Sequence, residues 1–98
     1  MAFAIRWAPS ARLDIRELAA YIAESRPQAS AHFITQVFLA VERLADFPES
    51  GRVVPEFGDP GLREIIRRPC RIVYRIRTQE GLVEIVRVWH AARGIPQL

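Results

Sequence analysis

Lysine is absent from this chain, and its fourteen basic residues are all arginine. The positive charge is therefore fixed at any physiological pH and sits on planar donor forks suited to carboxylate and phosphate. Cysteine is nearly absent too. Cys70 stands alone, which excludes an internal disulfide framework, and with only His32 and His90 beside it no structural zinc site, other metal or cofactor is expected. Nowhere do about 18 apolar residues run uninterrupted, and no basic segment followed by an apolar run opens the chain. Neither a membrane span nor a signal peptide is expected, which points to a cytoplasmic location. Internal repeats and low-complexity tracts are missing as well.

What is present suffices for one domain. The chain has 98 residues, half of them apolar, and its formal net charge is +3. That composition builds a single core at a size where staples are not required. The charge balance calls for an acidic partner, while leaving open whether that partner is protein or nucleic acid. Genomic composition that simply replaces lysine with arginine is the competing explanation.

The hydrophobic pattern gives an order of elements. In AFAIRW, residues 2–7, Phe3, Ile5 and Trp7 alternate with Ala2, Ala4 and Arg6, as in a half-buried strand. After Pro9, the residues Ala11, Ile15, Leu18, Ala19 and Ile22 recur at helical spacing to about residue 25. Pro27 opens a second helix whose apolar face is Ala29, Phe33, Val37, Ala40, Val41 and Leu44, widened by Ile34 and Phe38. LREIIRR, RIVYRIR and LVEIVRVWH then read as three strands of an antiparallel meander. The economical assembly is an α+β two-layer sandwich, a helix hairpin on one face of an antiparallel sheet in the order β-α-α-β-β-β. The other face is expected to stay open and to carry Arg71, Arg75 and Arg77, with Arg63 and Arg67 beside them. Like charges so close raise each other's cost unless acidic groups answer them.

Between the second helix and the meander, FPESGRVVPEFGDPG crowds prolines and glycines into a connection of about fourteen residues, longer than most in compact domains. Val53, Val54 and Phe57 give it apolar side chains to pin it to the core. Sealing one end of the helix hairpin and direct recognition are both open as its role.

IRWAPSARLDIRELAAYIAE, FPESGRVVPEF, LREII, RIVYRI and VEIVRVWHAAR, in this order, resemble the RelE/ParE superfamily of type II toxin–antitoxin toxins over essentially the whole chain. The resemblance implies a helix hairpin on an antiparallel sheet. It also implies an antitoxin partner, and growth inhibition by poisoning DNA gyrase in the ParE branch or by cleaving messenger RNA on the ribosome in the RelE branch. Plasmid or chromosomal-region stabilisation is the implied setting.

RNA cleavage needs a general base, a general acid and fixed charge at the phosphate, and arginine supplies only the third. Lysine-dependent RelE sites are excluded. By resemblance, a histidine version would use His90 as acid, Glu56 or Glu49 as base, and Arg71 with Arg93 on the phosphate. The tyrosine that usually follows in the toxic RNases is replaced by Ala91, Ala92, Gly94, Ile95 and Pro96. The usual Gly-Asn turn and tyrosine give way to Arg68, Pro69 and Cys70. Cys70 then reads as a small core residue, His90 as a structural hydrogen-bonding residue, and His32 as a helix-face residue. The favoured reading is a gyrase-binding toxin of the ParE kind, with an mRNA endoribonuclease and a non-toxic binding member as alternatives. An acidic antitoxin would meet the arginines and either lay an amphipathic helix in an apolar groove of Leu13, Tyr21, Ile34 and Phe38 or add an extended segment to an open sheet edge, and in both cases its hold would weaken as salt rises.

Overall fold

The computed structural model describes residues 2–98. Its elements are β1 (Ala4–Trp7), α1 (Pro9–Ala23), α2 (Pro27–Glu42), β2 (Arg52–Val53), β3 (Leu62–Arg67), β4 (Cys70–Arg77) and β5 (Leu82–His90). Each helix takes its proline in the first turn, where the missing N–H has no intrahelical partner to lose. The Ser30 hydroxyl donates to the Ala19 carbonyl at 2.6 Å and ties the two helices together near their turn. The alternating apolar positions of the strands meet Phe33, Val37, Ala40 and Val41 of α2, and Leu44 of the short turn after it, in one core.

The sheet has five strands in the order β1-β5-β4-β3-β2. Strands β3, β4 and β5 form the expected antiparallel meander. An all-antiparallel sheet is not what forms: β1 lies parallel to β5, because the helix hairpin returns the chain antiparallel to β1 in β2, and the three reversals from β2 to β5 leave the last strand pointing the same way as the first. Strand β1 stops at Trp7, so beyond Ile85 this edge of β5 has no neighbouring strand, while its other edge stays paired with β4. The first helix closes that edge. Ser10 donates from its hydroxyl to the Val86 carbonyl at 2.7 Å, and the Asp14 carboxylate accepts from the Val88 N–H at 2.9 Å.

The long connection departs from expectation in two ways. Its residues Arg52 and Val53 pair with Glu64 and Arg63 as a short fifth strand, and the segment beyond them covers the sheet's second face instead of the hairpin's end. There Val54 is fully buried against Leu62 and Val73, whereas Phe57 is 45% exposed and pins nothing. The second face is therefore not open. Strand parity also separates the arginines: Ile65 packs into the helix-side core, so Arg63 and Arg67 share its side, opposite Arg71 and Arg75.

Tyr74 locks the connection to the core. Its ring is buried on the helix side, and its hydroxyl donates to the Pro48 carbonyl at 2.7 Å while accepting from the Gly51 N–H at 2.9 Å. A Cβ at Gly51 would stand 2.6 Å from both the Tyr74 hydroxyl and the Glu64 carbonyl, so only glycine fits. Tyr74→Phe, which strands a buried N–H and C=O, should lower stability by roughly 1–3 kcal/mol in urea unfolding. Gly51→Ala should cost a similar amount, about 1–3 kcal/mol, through overpacking. A Tyr74→Phe midpoint equal to that of the unaltered chain would show that the connection is held elsewhere.

Candidate functional site

Glu64 sits between Leu62 and Ile66 on the second-face side of β3, and only 1% of it is exposed. A carboxylate buried there is tolerable only if fully paired. Arg71, also buried, donates to it from Nε at 2.6 Å and from Nη2 at 3.2 Å, and Arg52 adds Nε at 2.8 Å from the outside. The other fork of Arg71 is filled by Glu56 of the long connection, Nη1 to Oε2 at 2.8 Å and Nη2 to Oε1 at 2.6 Å. Both planar forks of Arg71 thus hold carboxylates of its own chain. The Arg71 hydrogen bond depresses the Glu56 carboxyl to about 2, and the two carboxylates raise Arg71 in turn. A base held so low takes protons poorly near neutral pH.

The residues of the conditional nuclease set are partly brought together. Glu56, Arg71 and His90 line one open cleft of about 590 Å³, with Arg68 and Arg52 at its rim. His90 is half-buried at the end of β5, and its Nδ1 accepts the Ala92 N–H at 3.1 Å, capping the turn that follows. That lone pair is occupied by the backbone. Arg93 lies apart, its guanidinium stacked 4.3 Å from the Trp89 ring centre, with Arg87 at 4.7 Å from that centre. Glu49 takes part through its backbone carbonyl, which Arg63 approaches at 3.5 Å. Cys70 is buried in the helix-side core, and burial pushes its thiol up to about 11, so it is no nucleophile at neutral pH.

The remaining named arginines divide by partner. Arg75 stands 3.5 Å from Asp59, and Arg77 reaches Glu84 at 3.1 Å beside Arg6 at 3.0 Å. Burial raises the Glu84 carboxyl, but its hydrogen bonds to Arg77 and Arg6 outweigh that and bring it below its ordinary value. Arg63 donates to the carbonyls of Pro60 and Gly51, at 3.0 and 3.1 Å, and braces the long connection. Among the described residues Arg67 bonds only the Ile66 carbonyl, at 2.8 Å, and it faces a groove beside the helices. Of the apolar candidates, Leu13 and Tyr21 are exposed, Ile34 packs partly into the core, and Phe38 meets Trp7 with ring centres 5.1 Å apart.

Sequence reasoning passed over Glu64 and Asp14. Glu64 had a readable signal, a lone acid on the apolar side of LREIIR in the strand preceding the arginine strand. Asp14, which holds Arg87 through two contacts of 2.8 Å, lies 73 residues away in sequence and had none.

Removing Arg71 leaves Glu64 buried and under-paired, so Arg71→Ala should lose roughly 3–5 kcal/mol, whereas the half-exposed Arg75→Ala should lose less than about 1 kcal/mol. Chemical denaturation of the two variants distinguishes them. Because pairing holds Glu56 below its ordinary 4.5, at about 2, its stabilisation is complete above pH 4.5 and is lost as pH falls toward 2. Glu56→Gln should therefore flatten the stability profile across that window, and an unchanged acid limb would contradict the pairing.

Comparison with known proteins places this geometry. The model for the ParE toxin of the type II toxin–antitoxin system parDE matches residues 5–95. The candidate toxin Y4kP of Sinorhizobium fredii is 36% identical over 100 aligned residues, covering 96% of this chain and 94% of that protein. Toxin RelE2 of Caulobacter vibrioides is 33% identical over 87 residues, covering 89% and 93%. Among solved structures, a chain of the chromosomal ParDE toxin–antitoxin system from P. aeruginosa superposes with a TM-score of 0.74 at 17% identity, over 91% of this chain and 96% of that one, a likeness of fold. This chain belongs to the ParE toxin family and is a toxin of the ParE/RelE kind from a type II toxin–antitoxin system.

Proposed function

We propose that this toxin acts by binding, as a ParE-like inhibitor of DNA gyrase, and that an acidic cognate antitoxin holds it silent in the cytoplasm. The observation that carries the reading is the state of Arg71. The residue best placed to grip a scissile phosphate has both forks closed by Glu56 and Glu64, and the chain offers no lysine as a substitute. The nearest imidazole spends Nδ1 on a backbone N–H. Fixed cations without an uncommitted acid–base pair suit recognition better than proton transfer. Stabilisation of a plasmid or chromosomal region is the biological setting this reading implies.

One observation favours a second reading. Glu56, Arg71 and His90 do line a single cleft, and Glu56 comes from an exposed turn whose displacement would release one fork of Arg71. That reading is a ribosome-dependent mRNA endoribonuclease. Brief induction in growing cells separates the two. The binding reading expects growth arrest with altered plasmid supercoiling, intact transcripts, and arrest retained by His90→Ala. Transcripts cut at the ribosome, with cutting abolished by His90→Ala, would establish the nuclease instead. A chain that leaves growth untouched would be a non-toxic binding member of the family.

A further inference from the structure

The connection between β2 and β3 closes at its base, where the Val54 N–H donates to the Leu62 carbonyl at 3.2 Å. Val54 and Leu62 are buried, yet every residue from 55 to 60 between them is exposed. Local bonds shape this loop: the Phe57 and Gly58 N–H groups donate to the Val54 carbonyl, each at 3.1 Å, and Arg63 holds the Pro60 carbonyl at the far end. Its tip meets the sheet through charge. Glu56 fills the outer fork of Arg71, and Asp59 Oδ2 stands 3.5 Å from Arg75. The two carboxylates on Arg71 are not equivalent. The Glu64 side chain is fully enclosed, on a strand paired at that residue along both edges, whereas that of Glu56 is 29% exposed and rides on the loop. A segment with little apolar burial opens at lower free energy than the core beneath it, so Glu56 is the partner free to leave.

Glu56 covers a site of opposite charge. The cleft of about 590 Å³ beside it is lined by Arg52, Arg68, Arg71 and His90, and among the described residues lining it Glu56 is the one carboxylate. A carboxylate held on both Nη atoms of Arg71 occupies the position that two oxygens of a phosphate would take. We propose that residues 55–60 form a latch that opens while the domain stays folded, and that Glu56 is an internal ligand excluding phosphate-type anions from Arg71 when the latch is shut. The latch is a property of the folded chain alone, so it rests on neither reading of how the toxin acts.

Solvent-exchange NMR on the isotope-labelled full chain at neutral pH tests the latch. In Glu56→Ala the Phe57 and Gly58 amides should exchange at least about tenfold faster than in the unaltered chain, while the Ile72 amide in the core keeps its rate. Inorganic phosphate should then move the Arg71 Nε resonance in the variant and leave it in place in the unaltered chain, and sodium chloride at equal ionic strength should move it in neither. Glu56→Gln keeps the shape and removes the charge, and it carries the same expectations if the alanine variant does not fold. Exchange at Phe57 and Gly58 that is unchanged in the variant, or that speeds up only together with Ile72, would overturn the latch, since the loop would then be held by other contacts or open only with the whole domain. An Arg71 resonance as indifferent to phosphate in the variant as in the unaltered chain would show that Glu56 masks no anion site. Growth and transcript integrity are not read in this experiment, so its failure leaves both readings of the toxin standing.

Discussion

A single buried carboxylate organises this molecule. Glu64 lies inside the second face of the sheet, and its charge is tolerable there only because Arg71 from the next strand and Arg52 from the adjoining connection converge on it. Arg71 must in turn satisfy its outer fork, which fastens Glu56 and the exposed turn that carries it. One ion cluster therefore sets where the long connection runs, why Arg52 and Val53 form an edge strand, and why the arginine strand is not a free basic surface. Tyr74 repeats the tie from the helix side through Pro48 and Gly51. The connection is gripped from both faces of the sheet.

That constraint bears on chemistry. An arginine closed by two carboxylates is a structural ion, and opening it to a substrate would first require displacing Glu56. Among the described residues Arg12, Arg16, Arg26, Arg43, Arg63, Arg67, Arg68 and Arg93 have no ion-pair partner within the chain, and Arg26, Arg67 and Arg68 of these line the groove at the mouth of the helix hairpin. The division follows from sequence: carboxylates occur in the connection and in the strands flanking Arg71, Arg75 and Arg77, and none flanks the run Arg67, Arg68, Pro69. The chain neutralises Arg71, Arg75 and Arg77 on the sheet and leaves Arg67 and Arg68 at the hairpin turn without a carboxylate among the described residues.

Much of this architecture was legible beforehand. Helical spacing after Pro9 and Pro27 and the alternation of RIVYRIR located both helices and the central strand, because their signals are local and periodic. The parallel attachment of β1 was not legible, since AFAIRW reads the same beside any strand, and a crossover's direction depends on where the chain returns. The two residues of β2 are too short for any periodicity. Arg63 and Arg67 were assigned to the wrong side because the phase of β3 relative to β4 depends on the register through the turn at Arg68 and Pro69. Arginine repetition on one strand face was visible, but its answer was not. Glu56 and Glu64 come from different segments, and only the folded connection brings them to Arg71.

The central claim is that both forks of Arg71 are filled within the folded chain, and it is most directly tested at the guanidinium itself. Hydrogen exchange of the Arg71 Nε proton, followed by NMR in the full-length protein at neutral pH, reports that bond without any substitution. Exchange far slower than at the exposed Arg68, with the resonance unmoved by added phosphate, is the predicted result. Exchange as fast as at Arg68, or a resonance that shifts on phosphate addition, would contradict the account.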